Sequence, residues 1–482
     1  MKLDPEVCYR AFGSQDRRFD GRIFVGVKTT RVYCRPICPA PTPKIENCVF
    51  FPSAAAASGA GFRPCLRCRP EASPETPAWL GTLATVARAL RMIEAGALES
   101  QGVTELAARL GMGSRQLRRL FSRHLGASPG AVARTRRLHL AKKLIDETDM
   151  RMTRVAMSAG FNSIRRFNAV IRETYGRSAS DLRRASRRAS QRGLSLRLEY
   201  RAPLDWEGML DFLRPRAIPG VESVDAGCYR RTCACTGHDG RTESGTIQVS
   251  PAPGQDALLL DVPIALHAGL PPIVARVRAL FDLSADPAAI GRHLVKDERL
   301  REQVRARPGL RVPGAFDPFE LCVRAVLGQQ ITVRAATTLA GRVATSFGEP
   351  LADGSGRLFP TPDRLAEADL VGLGLPRARA EAVRALAVAY RDGGPGLRAS
   401  RSLDATLALL GSLPGVGDWT AQYIAMRGMG EPDAFPASDL GLRRALSGGA
   451  GKATGAEVMA RSEPWRPWRA YAAMYLWTEE RH

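Results

Sequence analysis

Apolar and polar positions change their period along this chain. Between residues 80 and 182 apolar side chains recur at helical spacing. In VTELAARLGMGSRQLRRLF (103–121), Leu106, Ala107 and Leu110 share one face and the chain turns around Gly111. A second helix then places Leu117, Leu120 and Phe121 inward, with Arg115, Gln116, Arg118 and Arg119 largely outward. MTRVAMSAGFNSIRRFNAVIRETYG (152–176) repeats the plan, turning around Gly160 and offering Asn162, Ser163, Arg165 and Arg166. Each plan fits a plain helical hairpin or a helix-turn-helix whose second helix enters a major groove. Two copies on one chain favour the second.

The period then shortens to two. LSLRLEY alternates Leu194, Leu196, Leu198 and Tyr200 with polar residues, and TIQVS and ALLLDVPI carry strand character to about residue 264. From about residue 272 the helical pattern returns. Two stretches punctuate the chain: the proline-bearing RPEASPETPAW (69–79) and the arginine-rich RRASRRASQRGLS (183–195), a linker able to lie along phosphates. The pattern predicts a multidomain α+β protein. A small cysteine domain spans 1–75, an all-α double helix-turn-helix domain 80–182 and the Arg-rich linker 183–194. A small β-rich (α+β) domain spans 195–271 and an all-α domain 272–482.

Charge narrows the partner. The 482 residues carry 70 Lys+Arg against 48 Asp+Glu, a formal net charge of +22. Such self-repulsion suits a polyanion, and double-stranded DNA leads because each neutralised phosphate releases counterions. The plainer alternative is a protein from an arginine-rich proteome. No apolar run of about 18 residues appears and MKLDPEVCYR lacks a signal-peptide core, so no membrane partner is expected. Ten cysteines are too sparse for a disulfide scaffold. The cytoplasm, on the nucleoid, is the expected location.

Four of those cysteines cluster as Cys34-x3-Cys38-x26-Cys65-x2-Cys68. Two close pairs can surround one tetrahedral Zn²⁺. Either this is a structural zinc knot, or one zinc-bound thiolate is a nucleophile, since zinc keeps sulfur deprotonated at neutral pH. An anionic sulfur of that kind favours a methyl carbon on a charge-neutralised phosphate. Cys8 and Cys48 lack such partners and read as buried fillers.

VKTTRVYCRPICPA, ENCVFF and GFRPCLRC resemble the amino-terminal domain of Ada-type alkylation-response proteins. The resemblance implies that Cys34, Cys38, Cys65 and Cys68 bind one zinc. It also implies that Cys34 accepts a methyl group from a methylphosphotriester, once per protein. The helix-turn-helix pair, joined by HLGASPGAVARTRRLHLAKKLI, resembles the AraC-type DNA-binding domain, whose two readers enter successive major grooves. Methylating Cys34 removes about one negative charge near DNA phosphates, so methyl transfer is expected to raise operator affinity.

In the carboxy-terminal half, LPGVGDWTAQYIAMRG (413–428) sets Gly415 and Gly417 in a tight turn that can present N–H groups to a phosphate. Asp439 follows in FPASDLGLRR. The span 195–482 resembles a helix-hairpin-helix DNA glycosylase of the 3-methyladenine glycosylase II (AlkA) type. DWEGMLDFLRPRAIPGVE, RPGLRVPGAFDPFELCVRAVLGQQITV and EPWRPWRAYAAMYLW carry that resemblance with the hairpin.

The resemblance implies Asp439 as the catalytic carboxylate and Phe212, Trp419, Tyr423 and Trp477 as the base pocket. Gly415, Gly417, Thr420 and Gln330 join the helix-turn-helix residues as DNA contacts. The alternative for Asp439 is a helix N-cap, and for Trp465 and Trp468 a core role. Gln330 stands where an apolar wedge is expected and Leu440 where an aromatic could extend the pocket. No lysine lies between Lys296 and Lys452 and no cysteine follows Cys322. A monofunctional glycosylase is therefore expected, without a lysine Schiff base, an iron–sulfur cluster or the alkylguanine methyltransferase that usually ends Ada-type chains.

The whole chain reads as an alkylation sensor and transcription regulator fused to a glycosylase. Alkylated DNA and promoter operators are its ligands, RNA polymerase the implied protein partner, and a monomer is sufficient. The competing reading is a regulator whose carboxy-terminal half only binds DNA.

Overall fold

The structure, a computed structural model, describes residues 3–74, 82–94, 96–100, 102–185, 194–236, 241–392, 402–447 and 453–479. The central part of the arginine-rich linker and the end of the first hinge lie outside these residues. Among the described residues the strands are β1 (Phe24–Val27), β2 (Val32–Cys34), β3 (Cys48–Phe51), β4 (Arg63–Pro64), β5 (Leu194–Glu199), β6 (Glu222–Asp225), β7 (Cys228–Thr236), β8 (Thr242–Pro251) and β9 (Ala257–Val262). The chain forms two compact units. One comprises Met1–Arg201, Ala234–Glu243 and Ala252–Ala275; the other Ala202–Cys233, Ser244–Pro251 and Arg276–His482. The span expected as one β-rich domain, 195–271, is thus divided between them.

The first unit opens with a four-stranded sheet ordered β3-β1-β2-β4. β1 runs antiparallel to β2 and β3, and β2 runs parallel to β4. All four β1 residues are buried, because the helices Pro5–Gly13 and Ala54–Gly59 supply Phe12 and Ala57 to the packing around them. A strand buried on both faces loses the alternation that marks strands in sequence, so the sequence pattern does not reveal this sheet.

The helix-turn-helix pair follows the predicted pattern. Val103–Arg109 and Ser114–Leu125 bury Leu106, Ala107, Leu110, Leu117, Leu120 and Phe121. Met152–Ser158 and Ile164–Tyr175 form the second pair. Gly111 and Gly160 make the turns with φ of 65° and 80°. No strand occurs among the described residues between 82 and 185, and the last helix, Ala179–Ala185, runs three residues past the expected boundary at 182.

A 19-residue helix, Pro129–Glu147, joins the two readers and is capped by Ser128. Its buried end carries Lys142, Lys143, Asp146 and Glu147, all paired as buried charge requires. Arg69, next to Cys68, lies 3.1 Å from Glu147 and 3.2 Å from Asp146. Arg197 of β5 reaches Glu147 at 2.9 Å, and Lys143 reaches Glu199 at 2.8 Å. β5 pairs antiparallel with β9 and buries Leu194, Leu196 and Leu198, as the alternation predicts.

In the second unit β6 pairs antiparallel with the start of β7, Glu222 opposite Arg231. Trp206–Leu213 is a helix capped by Asp205. The rest is helical. Pro318–Leu327 packs against Arg377–Arg391 and Asp418–Gly428, and Leu403–Gly411 precedes the last of these. Trp465 and Trp468 are buried core residues. No described helix is long and apolar enough to cross a membrane.

Candidate functional sites

The sequence places two thiols at each of two short turns 26 residues apart, and the fold brings all four together. The Sγ atoms of Cys34, Cys38, Cys65 and Cys68 lie within 4.8 Å of one another, all buried. Four sulfurs each about 2.3 Å from one ion would stand roughly 3.8 Å apart, so the quartet fits tetrahedral Zn²⁺. Cys34 ends β2, and Cys65 follows β4 with its N–H donating to the Tyr33 carbonyl at 3.0 Å.

Hydrogen bonds with Cys34 bring Cys38 down to about 7 and lower Cys65 as well. The bond with Cys38 pushes Cys34 up, and the bond with Cys34 pushes Cys68 up. Like charges this close do not ionise together; a dication lets all four be thiolates. Arg35 N–H donates to Cys68 Sγ at 3.3 Å, and its guanidinium is held on Asp20, with Nε 2.9 Å from Oδ1. Cys8 is buried in a neighbouring cluster and Cys48 in the same core cluster as the quartet, outside the four close sulfurs, and burial pushes both thiols up.

On the readers, Arg115, Gln116, Arg118 and Arg119 are exposed along Ser114–Leu125, and Asn162, Ser163, Arg165 and Arg166 around the start of Ile164–Tyr175. The Ser163 hydroxyl also caps its helix, accepting from Arg166 N–H at 3.1 Å. Tyr33, beside Cys34, meets the connecting helix: its hydroxyl is 2.9 Å from His139 Nε2.

In the second unit Asp439 is a helix N-cap that also meets two indoles. Its Oδ1 accepts from Gly441 N–H at 2.9 Å and Leu442 N–H at 3.2 Å, capping Leu440–Ala445. The N-cap alternative is therefore real, and it fixes the orientation of the carboxylate. Oδ1 also accepts from Trp477 Nε1 at 2.9 Å, and Oδ2 from Trp419 Nε1 at 2.9 Å. Trp419 stacks on Tyr423 at 5.1 Å and 11°, and Tyr423 lies 6.5 Å from Trp477. Phe212 and Trp477 line a cavity of about 140 Å³ with Met209, Pro313 and Met474. Trp477 thus belongs both to the lining of this cavity and to the group of Trp419, Tyr423 and Asp439, which do not themselves line it.

The hairpin treats its two glycines differently. Gly415 has φ 74°, and a Cβ there would stand 2.5 Å from Ala382 Cβ, so the fold demands glycine. Gly417 has φ −82° and open space around it. It precedes Asp418–Gly428 without a side-chain cap, leaving that helix start open to an anion.

Thr420 is 2 % exposed, so the structure places its side chain inside the protein rather than on a DNA-facing surface. Its hydroxyl accepts from Gln329 Nε2 at 2.9 Å, and the same Nε2 donates to the Gly415 carbonyl at 2.7 Å. Gln329, which no sequence pattern singles out, therefore ties the loop after Leu327 to the hairpin. Gln330 beside it is exposed with φ 59°, a left-handed conformation that costs a non-glycine residue on the order of 1–2 kcal/mol. Leu440 is 54 % exposed next to Asp439.

Comparison with known proteins follows the same division. The metal binding domain of Ada matches residues 7–71 and a helix-turn-helix domain 106–185. The AlkA N-terminal domain matches 195–317 and the HhH-GPD superfamily base excision DNA repair protein 323–467. The chain is 44% identical over its whole length, and 98% of the relative's, to a probable bifunctional transcriptional activator/DNA repair enzyme AlkA of Mycobacterium tuberculosis. It is 36% identical to DNA-3-methyladenine glycosylase 2 of Escherichia coli, over 59% of this chain and 96% of that one. Among solved structures, a 3-methyladenine DNA-glycosylase from Archaeoglobus fulgidus shares the fold with a TM-score of 0.50 at 23% identity, covering 59% of this chain and 98% of that one.

A zinc–thiolate centre, paired helix-turn-helix units and a helix-hairpin-helix glycosylase fold define a multidomain DNA-binding repair protein. The chain belongs to the family of bifunctional transcriptional activator/DNA repair enzymes AlkA.

Proposed function

We propose that the protein is a DNA alkylation-damage response factor with two chemistries. In the first, Cys34 Sγ attacks the methyl carbon of a methylphosphotriester. The S–C bond forms as the C–O bond breaks, and the phosphate oxygen keeps the electron pair as a diester anion. Bound Zn²⁺ supplies a thiolate at neutral pH. Arg35, held by Asp20, fixes the backbone N–H that donates to Cys68. Each protein transfers once.

Loss of negative charge at Cys34 then raises affinity for an operator read by Arg115, Gln116, Arg118 and Arg119 in one groove. Asn162, Ser163, Arg165 and Arg166 read the next. Two tandem readers make a monomer sufficient, and the operator-bound form contacts RNA polymerase on the nucleoid.

In the second chemistry, Gly415 and Gly417 seat the hairpin on a backbone phosphate and Gln330 fills the space of a flipped nucleotide. The damaged base enters between Phe212, Trp419, Tyr423 and Trp477, whose electron-rich faces attract a cationic alkylated purine. Asp439 stabilises the oxocarbenium-like sugar as the C1′–N bond breaks, and orients the water that adds to C1′. The observation that carries this is the pair of indole N–H groups, from Trp419 and Trp477, that hold the Asp439 carboxylate. Asp439→Asn on duplex DNA containing 7-methylguanine tests it. Base release should vanish with DNA binding retained; undiminished release would remove the carboxylate from the mechanism.

A further inference from the structure

Behind the aromatic cluster sits a guanidinium that the chemistry above does not use. Arg427 is 5 % exposed, and no carboxylate among the described residues pairs with it. Its Nε donates to the Pro313 carbonyl at 2.7 Å, Nη2 to the Gly314 carbonyl at 3.1 Å and Nη1 to the Tyr423 hydroxyl oxygen at 2.5 Å. Its centre lies 4.8 Å from the Phe212 ring and 5.3 Å from the Tyr423 ring. Arg216 covers Phe212 as well, at 3.8 Å.

A buried cation without a counter-ion is costly, and beside a pocket for cationic bases it repels the ligand. Its benefit must come from something electron-rich. Tyr423 shows what that is. Its oxygen already accepts from Arg427, and its own hydrogen has no protein acceptor among the described residues. A hydroxyl that accepts from a cation is a stronger donor. Burial alone would push the Tyr423 phenol up, but Arg427 and Arg216 bring it below its ordinary value.

We propose that Arg427 is a positioning residue that aims and strengthens the Tyr423 O–H as a hydrogen-bond donor to the departing base. The pair thereby sets how well neutral purine lesions compete with cationic ones. When the C1′–N bond breaks, its electron pair stays with the base. A cationic alkylated purine leaves neutral and needs no donor. A neutral purine leaves as an anion, and a donor backed by a fixed cation stabilises that charge as it develops. The inference rests on the glycosylase reading above.

The test is single-turnover release of 7-methylguanine and of hypoxanthine from duplex DNA by the full-length protein, Tyr423→Phe and Arg427→Lys. Phenylalanine keeps the ring and loses the O–H; lysine keeps the charge and loses the fork. The ratio of hypoxanthine to 7-methylguanine rate should fall on the order of a hundredfold in Tyr423→Phe and about tenfold in Arg427→Lys. Equal losses on both bases would make the pair a packing device and overturn the inference. So would a wild type that releases 7-methylguanine but no hypoxanthine. A wild type that releases no 7-methylguanine would instead overturn the glycosylase reading itself. Should Arg427→Lys fail to fold, judged by its melting curve, Tyr423→Phe alone decides.

Discussion

The indole N–H of Trp477 donates to Asp439 Oδ1 at 2.9 Å, joining residues 38 apart in sequence. The same oxygen caps the following helix through Gly441 and Leu442. Backbone and side-chain donors thus hold one carboxylate from two directions, and its orientation depends on both.

Trp477→Phe keeps an aromatic wall but removes one of those donors. A hydrogen bond to a charged group is worth about 1.5–3 kcal/mol, so single-turnover base release should drop roughly tenfold to hundredfold. The melting temperature should shift little, since Trp419 still holds Oδ2. An unchanged rate would show that the indole does not orient the carboxylate.

The hairpin glycines should separate stability from binding. Gly415→Ala meets Ala382 and a φ of 74°, so it should destabilise by about 1–3 kcal/mol and weaken DNA binding with it. Gly417→Ala has open space in the folded chain, so its melting curve should match wild type while affinity for duplex DNA falls. Equal melting shifts for the two variants would contradict this difference in environment.

Incubation with methylated duplex should add the mass of one methyl group to the peptide carrying Cys34. Operator affinity should then rise several-fold to about tenfold at low salt and the gain should shrink as salt screens the charge. A methylated protein with unchanged affinity would remove the electrostatic switch while leaving the transfer intact. Chelation of the zinc should abolish the methyl adduct.

His139 offers a pH test. Burial, with Arg136 nearby, brings its imidazole down to about 4 from an ordinary value near 6.5. The folded state therefore resists protonation that the unfolded state accepts. Its contribution is fully present above pH 6.5 and is lost as pH falls towards 4, on the order of 3 kcal/mol. The His139 ring should titrate near pH 4 by NMR, and the Tyr33 contact should break over the same range. Titration near 6.5 would place the ring in solvent.

Much of the site was legible because local periodicity and spacing carried it. The inward residues of the first reader, Leu106 to Phe121, follow from helical geometry alone. So do the exposed arginines between them. Gln329 and Gln330 could not be told apart in sequence: adjacent glutamines differ only once the turn sends one side chain to Gly415 and Thr420 and the other to solvent. The burial of Thr420 was illegible for a related reason, since its place in the hairpin says nothing of what covers it.

Sequence by itself determined the element pattern, the cysteine spacing and the excess of positive charge, because each depends on neighbours within a few turns of chain or on composition. Tertiary structure alone decided which partners those residues meet. Tyr33 met His139 across 106 positions, Trp477 met Asp439, and Arg427 was buried against Pro313 and Gly314 with no carboxylate among the described residues to pair it. Such contacts join residues far apart in sequence, and their donors and charges acquire chemical meaning only when burial removes water as the competing partner.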